Sequence, residues 1–209
     1  MKKRLQQHSA VRKKRASRLD QADRRAQLLQ CAIRVFARRG LGAARHAEIA
    51  KEAGVSVPAV FFYFPTREEL VIAVLDEVDR FLMEMAEQVH SSGRPAPEIL
   101  LAHAQAFAAS VDTHPDYARV WLDWSTAIRE EIWPKYLDFQ ERIVALLART
   151  IRRWQTERGI VNDVDIEDDA RLMVASAQMI AQMKFTRVPP EKLDHFLRTM
   201  VAAVLGNRV

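Results

Sequence analysis

The placement of chain-breaking residues constrains this fold more than any other feature of the sequence. Six glycines and eight prolines are spread over 209 residues. Half fall in short clusters, Gly40 with Gly42, SSGRPAP over 91–97, and Pro189-Pro190. The stretches between them are rich in Ala, Leu, Arg, Glu and Met and show little β-branched alternation. Their apolar residues recur at three- and four-residue steps, as in Leu28, Leu29, Ala32, Ile33, Phe36 and Ala37. That pattern predicts an all-α fold. Helices are expected from Asp20 to about Arg39, over 46–54, from Thr66 to about His90, and near 98–112, 115–128, 134–158, 166–185 and 190–205. SSGRPAP is the clearest linker and reads as a domain boundary.

Composition narrows the function. The chain is 49% hydrophobic and 28% charged, enough for a real core in one or two domains. No run of eighteen apolar residues occurs, so no membrane span is expected. The basic N-terminus lacks the apolar stretch of a signal peptide. Together with the single Cys31, which allows no internal disulfide, this points to the cytoplasm. The six histidines include no pair four apart and no metal-binding spacing. Neither a nucleophile elbow nor a phosphate-binding loop appears, and Cys31 sits among Leu28, Leu29 and Ile33 as a core residue would. No enzyme, metal or cofactor is expected.

Charge is concentrated at one end. Residues 1–25 carry ten basic side chains against Asp20 and Asp23, a net of +8, whereas the whole chain nets +5. Residues 1–19 read as a disordered basic arm, serving either solubility or a polyanion partner.

The stretch SVPAVFFYFPTREEL (56–70) is the most informative. Placed on a helix, Val57, Val60, Phe61 and Phe64 form one apolar face, while Pro58, Ala59, Phe62 and Tyr63 point away. Ser56 takes the N-cap position, and Pro58 lies in the first turn, where its missing N–H costs little. A central strand would not accept Pro58. Upstream, HAEIAKEAG gives a two-turn helix with small Ala50 at the crossing, Gly54 at the turn, and Val55 and Val60 pinning one helix over the other. This is a helix-turn-helix, with a plain αα-hairpin as the alternative; the basic arm favours the first. In that geometry Ser56, Pro58, Ala59, Phe62 and Tyr63 face a DNA major groove and its flanking phosphates. Tyr63 and Thr66 offer hydroxyls to phosphate, Arg67 adds charge, and Phe62 can touch only thymine methyls or other apolar base edges. Arg15 and Arg18 of the arm suit a narrow minor groove. Thr66-Arg67-Glu68-Glu69 is a capping box that opens the next helix.

These residues, with SRL (17–19), VFARRG (35–40), HAEIA (46–50) and VWLDWSTAIREEIWP (120–134), resemble the TetR family of transcriptional regulators. The resemblance is narrower to its HapR/SmcR-type (TetR-fold LuxR) quorum-sensing master regulators. It implies about nine helices: a helix-turn-helix domain over 20–66 and a ligand-binding and dimerisation domain over 67–209, joined by helix 67–90. It implies a homodimer through the last two helices on a pseudo-palindromic double-stranded operator. Family DNA contacts carry over to Arg18, Ser56, Val57, Ala59, Tyr63, Thr66 and Arg67. Two departures bear on the operator: Phe62 replaces a usual Asn, and Ala16 replaces an arm Arg, with Arg15 beside it. Family pocket positions map onto Trp121, Tyr136 and Gln140, with Leu82, Met85 and Ala177 as apolar wall, implying a hydrophobic or amphipathic effector. Gln140 stands where the group has Asn.

The aromatic cluster Trp121, Trp124, Trp133 and Tyr136 fits either plain core or such a pocket. Stripes of Ala170, Val174, Ala177, Ile180 and Ala181, and of Leu193, Phe196, Leu197, Met200 and Val204, fit either a four-helix dimer contact or intrachain core. A rival function is a nonspecific architectural DNA binder that uses only the arm.

Overall fold

The computed structural model describes residues 21–128, 131–160 and 166–206. Among these the chain forms nine α-helices and no strand: α1 Gln21–Arg39, α2 His46–Ala53, α3 Val57–Tyr63, α4 Arg67–His90, α5 Ala96–Thr113, α6 Pro115–Ser125, α7 Trp133–Arg158, α8 Ile166–Phe185 and α9 Pro190–Val204. The all-α expectation holds, with α6 ending three residues earlier than its pattern suggested. None of these helices is long and apolar enough to cross a membrane. The arm, with Arg15 and Arg18, lies outside the described residues.

Helix ends follow local chemistry. Thr66 caps α4, its hydroxyl oxygen accepting from the Glu69 amide at 3.1 Å. The reciprocal half of the expected box, from the Glu69 carboxylate back to the Thr66 amide, is not made among the described residues. Gly54 adopts the left-handed conformation at φ 64°, and the Val55 amide donates to Ala50 O at 3.0 Å, which folds the chain tightly from α2 into α3. α8 stops in the same way, yet Arg187 occupies the left-handed position at φ 56°, a stop that no glycine signals.

α1, α2 and α3 form a three-helix unit, with α1 also packed on α4 and α6. α5 lies at the centre of the remainder, against α4, α6, α7, α8 and α9. One continuous hydrophobic core runs from Leu28 through Leu75 and Trp124 to Val204. SSGRPAP is therefore a turn between two helices that pack on each other, not a boundary between domains. The α8 and α9 stripes, open between dimer contact and intrachain core, supply core residues. Ala170, Ile180 and Ala181 are buried in the chain's own core, as are Leu197, Met200 and Val204 of α9. The opposite face of α8 is the one left open, with Leu172 60% and Met179 47% exposed.

Candidate nucleic-acid interface and ligand cavity

α3 has only two turns, so its neighbours must hold it. Val60 and Phe64 enter the core, and Ala59 and Tyr63 lie at its margin. Below them sit Ile49 and Ala50 of α2, both buried. Arg25 lies over the Phe64 ring, 5.0 Å from its centroid. His46 is buried and joins α2 to the end of α3 by a 2.8 Å hydrogen bond between Nε2 and Phe64 O. α2 is bound to α1 by Arg34 and Arg38 on Glu52, at 2.9 and 2.7 Å, and by Arg39 on Glu48 at 2.8 Å. These two arginines hold the Glu52 carboxyl below its usual range. Exposed pairs of this kind contribute little individually, so they set orientation more than stability.

The outward face of α3 differs from the expected one. Phe62 is 69% exposed and meets Tyr63 edge-on, as the helical spacing required. Val57 and Phe61, assigned to the inner stripe, are instead 37% and 46% exposed. The reason is rotational: the buried arc runs over Ala59, Val60, Tyr63 and Phe64, which turns Val57, Pro58, Phe61 and Phe62 outward and leaves Ala59 and Tyr63, expected to point away, half-buried. Phe61 rests on His46 with ring centroids 4.1 Å apart and planes 4° from parallel. Sequence spacing missed this stack, because nothing local links position 46 to position 61.

Ser56 occupies the N-cap position but makes no side-chain cap hydrogen bond. Pro58 has removed one amide it would cap, and the Ala59 amide is taken by the Ser56 backbone carbonyl at 3.0 Å. Its hydroxyl is therefore not spent on the helix. Arg67 donates to Leu41 O from Nη2 at 2.5 Å, a fastening between the α1–α2 turn and α4 that accounts for part of its guanidinium.

An apolar cavity of about 50 Å³ lies between α4, α5, α6, α7, α8 and α9. Of the positions that the resemblance carried over, Leu82, Met85, Trp121 and Ala177 line it, and Tyr136 and Gln140 lie elsewhere. On α7 the residues facing this cavity are Phe139 and Ile143. Tyr136, a turn earlier, is buried among aromatics, stacked on Trp133 at 5.0 Å and edge-on to Trp124 at 5.5 Å. Desolvation there raises its pKa. Gln140 is rotated past Phe139 and lines an outer groove with Leu137, Glu141 and Arg171.

Two polar side chains line the cavity: Trp121, which the resemblance carried over, and His103, which the sequence did not single out. Trp121 is only 2% exposed, and its Nε1 has no hydrogen-bond partner among the described residues. An unpaired buried donor of this kind costs about 1–3 kcal/mol. His103 also lines the wall, its Nδ1 3.2 Å from His90 Nε2, while His90 Nδ1 lies 2.8 Å from Thr150 Oγ1. Burial pushes His103 down to about 3, helped by His90. Burial, then Arg149 and Arg153, push His90 down to about 4. Both rings are neutral near pH 7.

α6 connects this cavity to the three-helix unit. Trp121 forms the wall, while Asp123, two residues on, accepts from the Leu41 amide at 2.6 Å through Oδ2. Gln30 of α1 donates to the Tyr117 hydroxyl at 2.8 Å, which donates to Glu77 of α4 at 3.1 Å.

A short helix set across a second by a left-handed glycine, with its outer face exposed and a helical body behind it, defines a helix-turn-helix protein. The profile of the family described as bacterial regulatory proteins, tetR family, matches residues 28–74. The chain is 38% identical over 159 residues to the HTH-type transcriptional regulator LuxR of Vibrio harveyi, covering 74% of this chain and 75% of that protein. It belongs to the TetR family of bacterial transcriptional regulators, which act on DNA and are not enzymes. Its fold is shared with a transcriptional regulator from Pseudomonas aeruginosa PAO1, at a TM-score of 0.75 and 22% identity, covering 91% of this chain and 94% of that one. FadR from Bacillus subtilis, solved in complex with stearoyl-CoA, aligns at a TM-score of 0.71 and 16% identity over 87% of this chain and 97% of its own.

Proposed function

We propose that this regulator binds a pseudo-palindromic operator as a homodimer, reads it with the outer face of α3, and is modulated by a small apolar ligand in the α4–α9 cavity. The observation that carries the reading is the wet aromatic face of α3, with Phe62 and Phe61 exposed on a helix whose opposite side is locked into the core. An apolar exposed face this small has no folding purpose, whereas thymine methyls in a major groove complement it. Ser56, Val57 and Ala59 approach base edges. Tyr63, Thr66 and Arg67 take phosphates, and Arg15 and Arg18 of the arm extend along the duplex.

The second copy covers the open face of α8, where Leu172 and Met179 are otherwise left in water. Two-fold symmetry then sets the two α3 helices about 34–36 Å apart, one turn of DNA. Ligand binding is transmitted by α6, because a shift of Trp121 also moves Asp123 and Tyr117, which hold Leu41 and α1. The likeness to LuxR supports a role in cell-density signalling in the cytoplasm.

Fluorescence anisotropy with two labelled duplexes tests the core of this reading. A selected inverted repeat should hold the protein at 150 mM salt against excess competitor DNA, while a scrambled duplex is released. Equal affinity for both duplexes would instead support the nonspecific architectural binder.

A further inference from the structure

We propose that His103 is the recognition residue of the α4–α9 cavity, and that its ligand is an uncharged, mostly hydrocarbon molecule carrying one acceptor oxygen of the ketone or ester kind. His90 and Thr150 are positioning residues that act through His103. This rests on the ligand-modulated reading above and states the chemistry of that site.

The lining carries no Lys, Arg, Asp or Glu, so a charged headgroup would enter without a counter-ion, at a large desolvation cost. What it offers instead is the ring of His103. His103 has its Nδ1 committed to His90, and its Nε2 meets no protein group among the described residues. The sense of the Thr150–His90–His103 chain decides what Nε2 presents. The Thr150 hydroxyl is buried and has two possible acceptors: His90 Nδ1 at 2.8 Å, and Leu146 O at 3.5 Å. The first is a good hydrogen bond, and the second is at the limit of one. With Thr150 donating to His90 Nδ1, the His90 Nε2–H donates to His103 Nδ1, and His103 presents Nε2–H to the cavity. One donor is then set in an otherwise apolar lining, and a carbonyl oxygen answers it. The cavity holds about 50 Å³ as it stands. That is less than the roughly 150 Å³ that admits benzene. Three thioether side chains in its wall, Met85, Met173 and Met200, can move aside for a modest ligand.

Three probes of similar shape separate the possibilities: acetophenone, ethylbenzene and benzoate, each titrated into the full chain by calorimetry. Acetophenone should bind at least tenfold more tightly than ethylbenzene, with benzoate weakest. His103→Phe should abolish that preference. His103→Gln, whose amide nitrogen stands close to the place of Nε2, should restore it. Thr150→Val should reduce the preference several-fold without altering ethylbenzene binding, which a merely structural role would not produce. Equal binding of ketone and hydrocarbon, preferred binding of benzoate, binding of none, or an unaltered preference in His103→Phe would overturn the assignment. Anisotropy on the operator with acetophenone present keeps the two readings apart. Ketone preference without a change in DNA affinity would contradict the effector reading and leave this one standing. DNA release by probes that show no ketone preference would do the reverse.

Discussion

Phe62 and its neighbours divide the work at the DNA face into two kinds of contact. Tyr63, Thr66 and Arg67 stand at the end of α3 and the start of α4, where hydroxyls and charge suit phosphates. The double change Tyr63→Phe with Arg67→Ala should weaken binding to every duplex alike. It should also reduce the slope of log affinity against log salt by about one, the share of a single phosphate contact. Phe62→Asn should instead change which sequences are preferred, since an amide replaces an apolar face that has no hydrogen bonds to give. Anisotropy across a salt series and a duplex panel measures both. The short helix and the exposure of Phe62 were readable in the sequence because Pro58, Gly54 and the spacing of Val60 and Phe64 fix the helix locally. Phe61 and Val57 were misplaced because the rotation of α3 is set by Phe64 and the distant His46, not by α3 alone.

At the scale of elements, helix existence followed from periodicity and caps, while contacts between helices did not. The Leu41 fastening joins residues 26 and 82 positions apart, through Arg67 and Asp123. The stop at Arg187 lacks the glycine that would announce it. The link between α4, α5 and α7 through His90, His103 and Thr150 was equally hidden, and it makes a pH prediction. Both histidines are held neutral in the folded protein, near 4 and 3, against a usual 6.5. Below 6.5 the unfolded chain therefore binds more protons, so stability is full above that pH and declines as pH falls from 6.5 towards 4. Both rings are only partly buried, so each loses less than the limiting value of about 1.4 kcal/mol per pH unit. Urea midpoints at pH 7.0 and 5.5 should differ in the native sequence. In His103→Phe the difference should shrink.

Across the whole molecule, one continuous core ties the sensing body to the DNA-binding unit, and α8 supplies the outer face on which a second copy would sit. The sequence showed apolar stripes on α8 and α9 without showing which side the chain keeps for itself. Small Ala170 and Ala181 proved to be intrachain contacts, and the larger Leu172 and Met179 were left outside. Leu172→Glu with Met179→Glu should leave helicity unchanged, because neither side chain is in the core. By light scattering the same variant should run as a monomer, and its operator affinity should fall by at least tenfold. The measurement that bears most directly on two copies of α3 reading adjacent grooves is selection of bound duplexes from a random pool with the purified native protein. An inverted repeat should emerge, its half-sites centred about one helical turn apart and two chains bound per duplex. A pool with no recurring sequence, or a lone half-site bound by one chain, would contradict it.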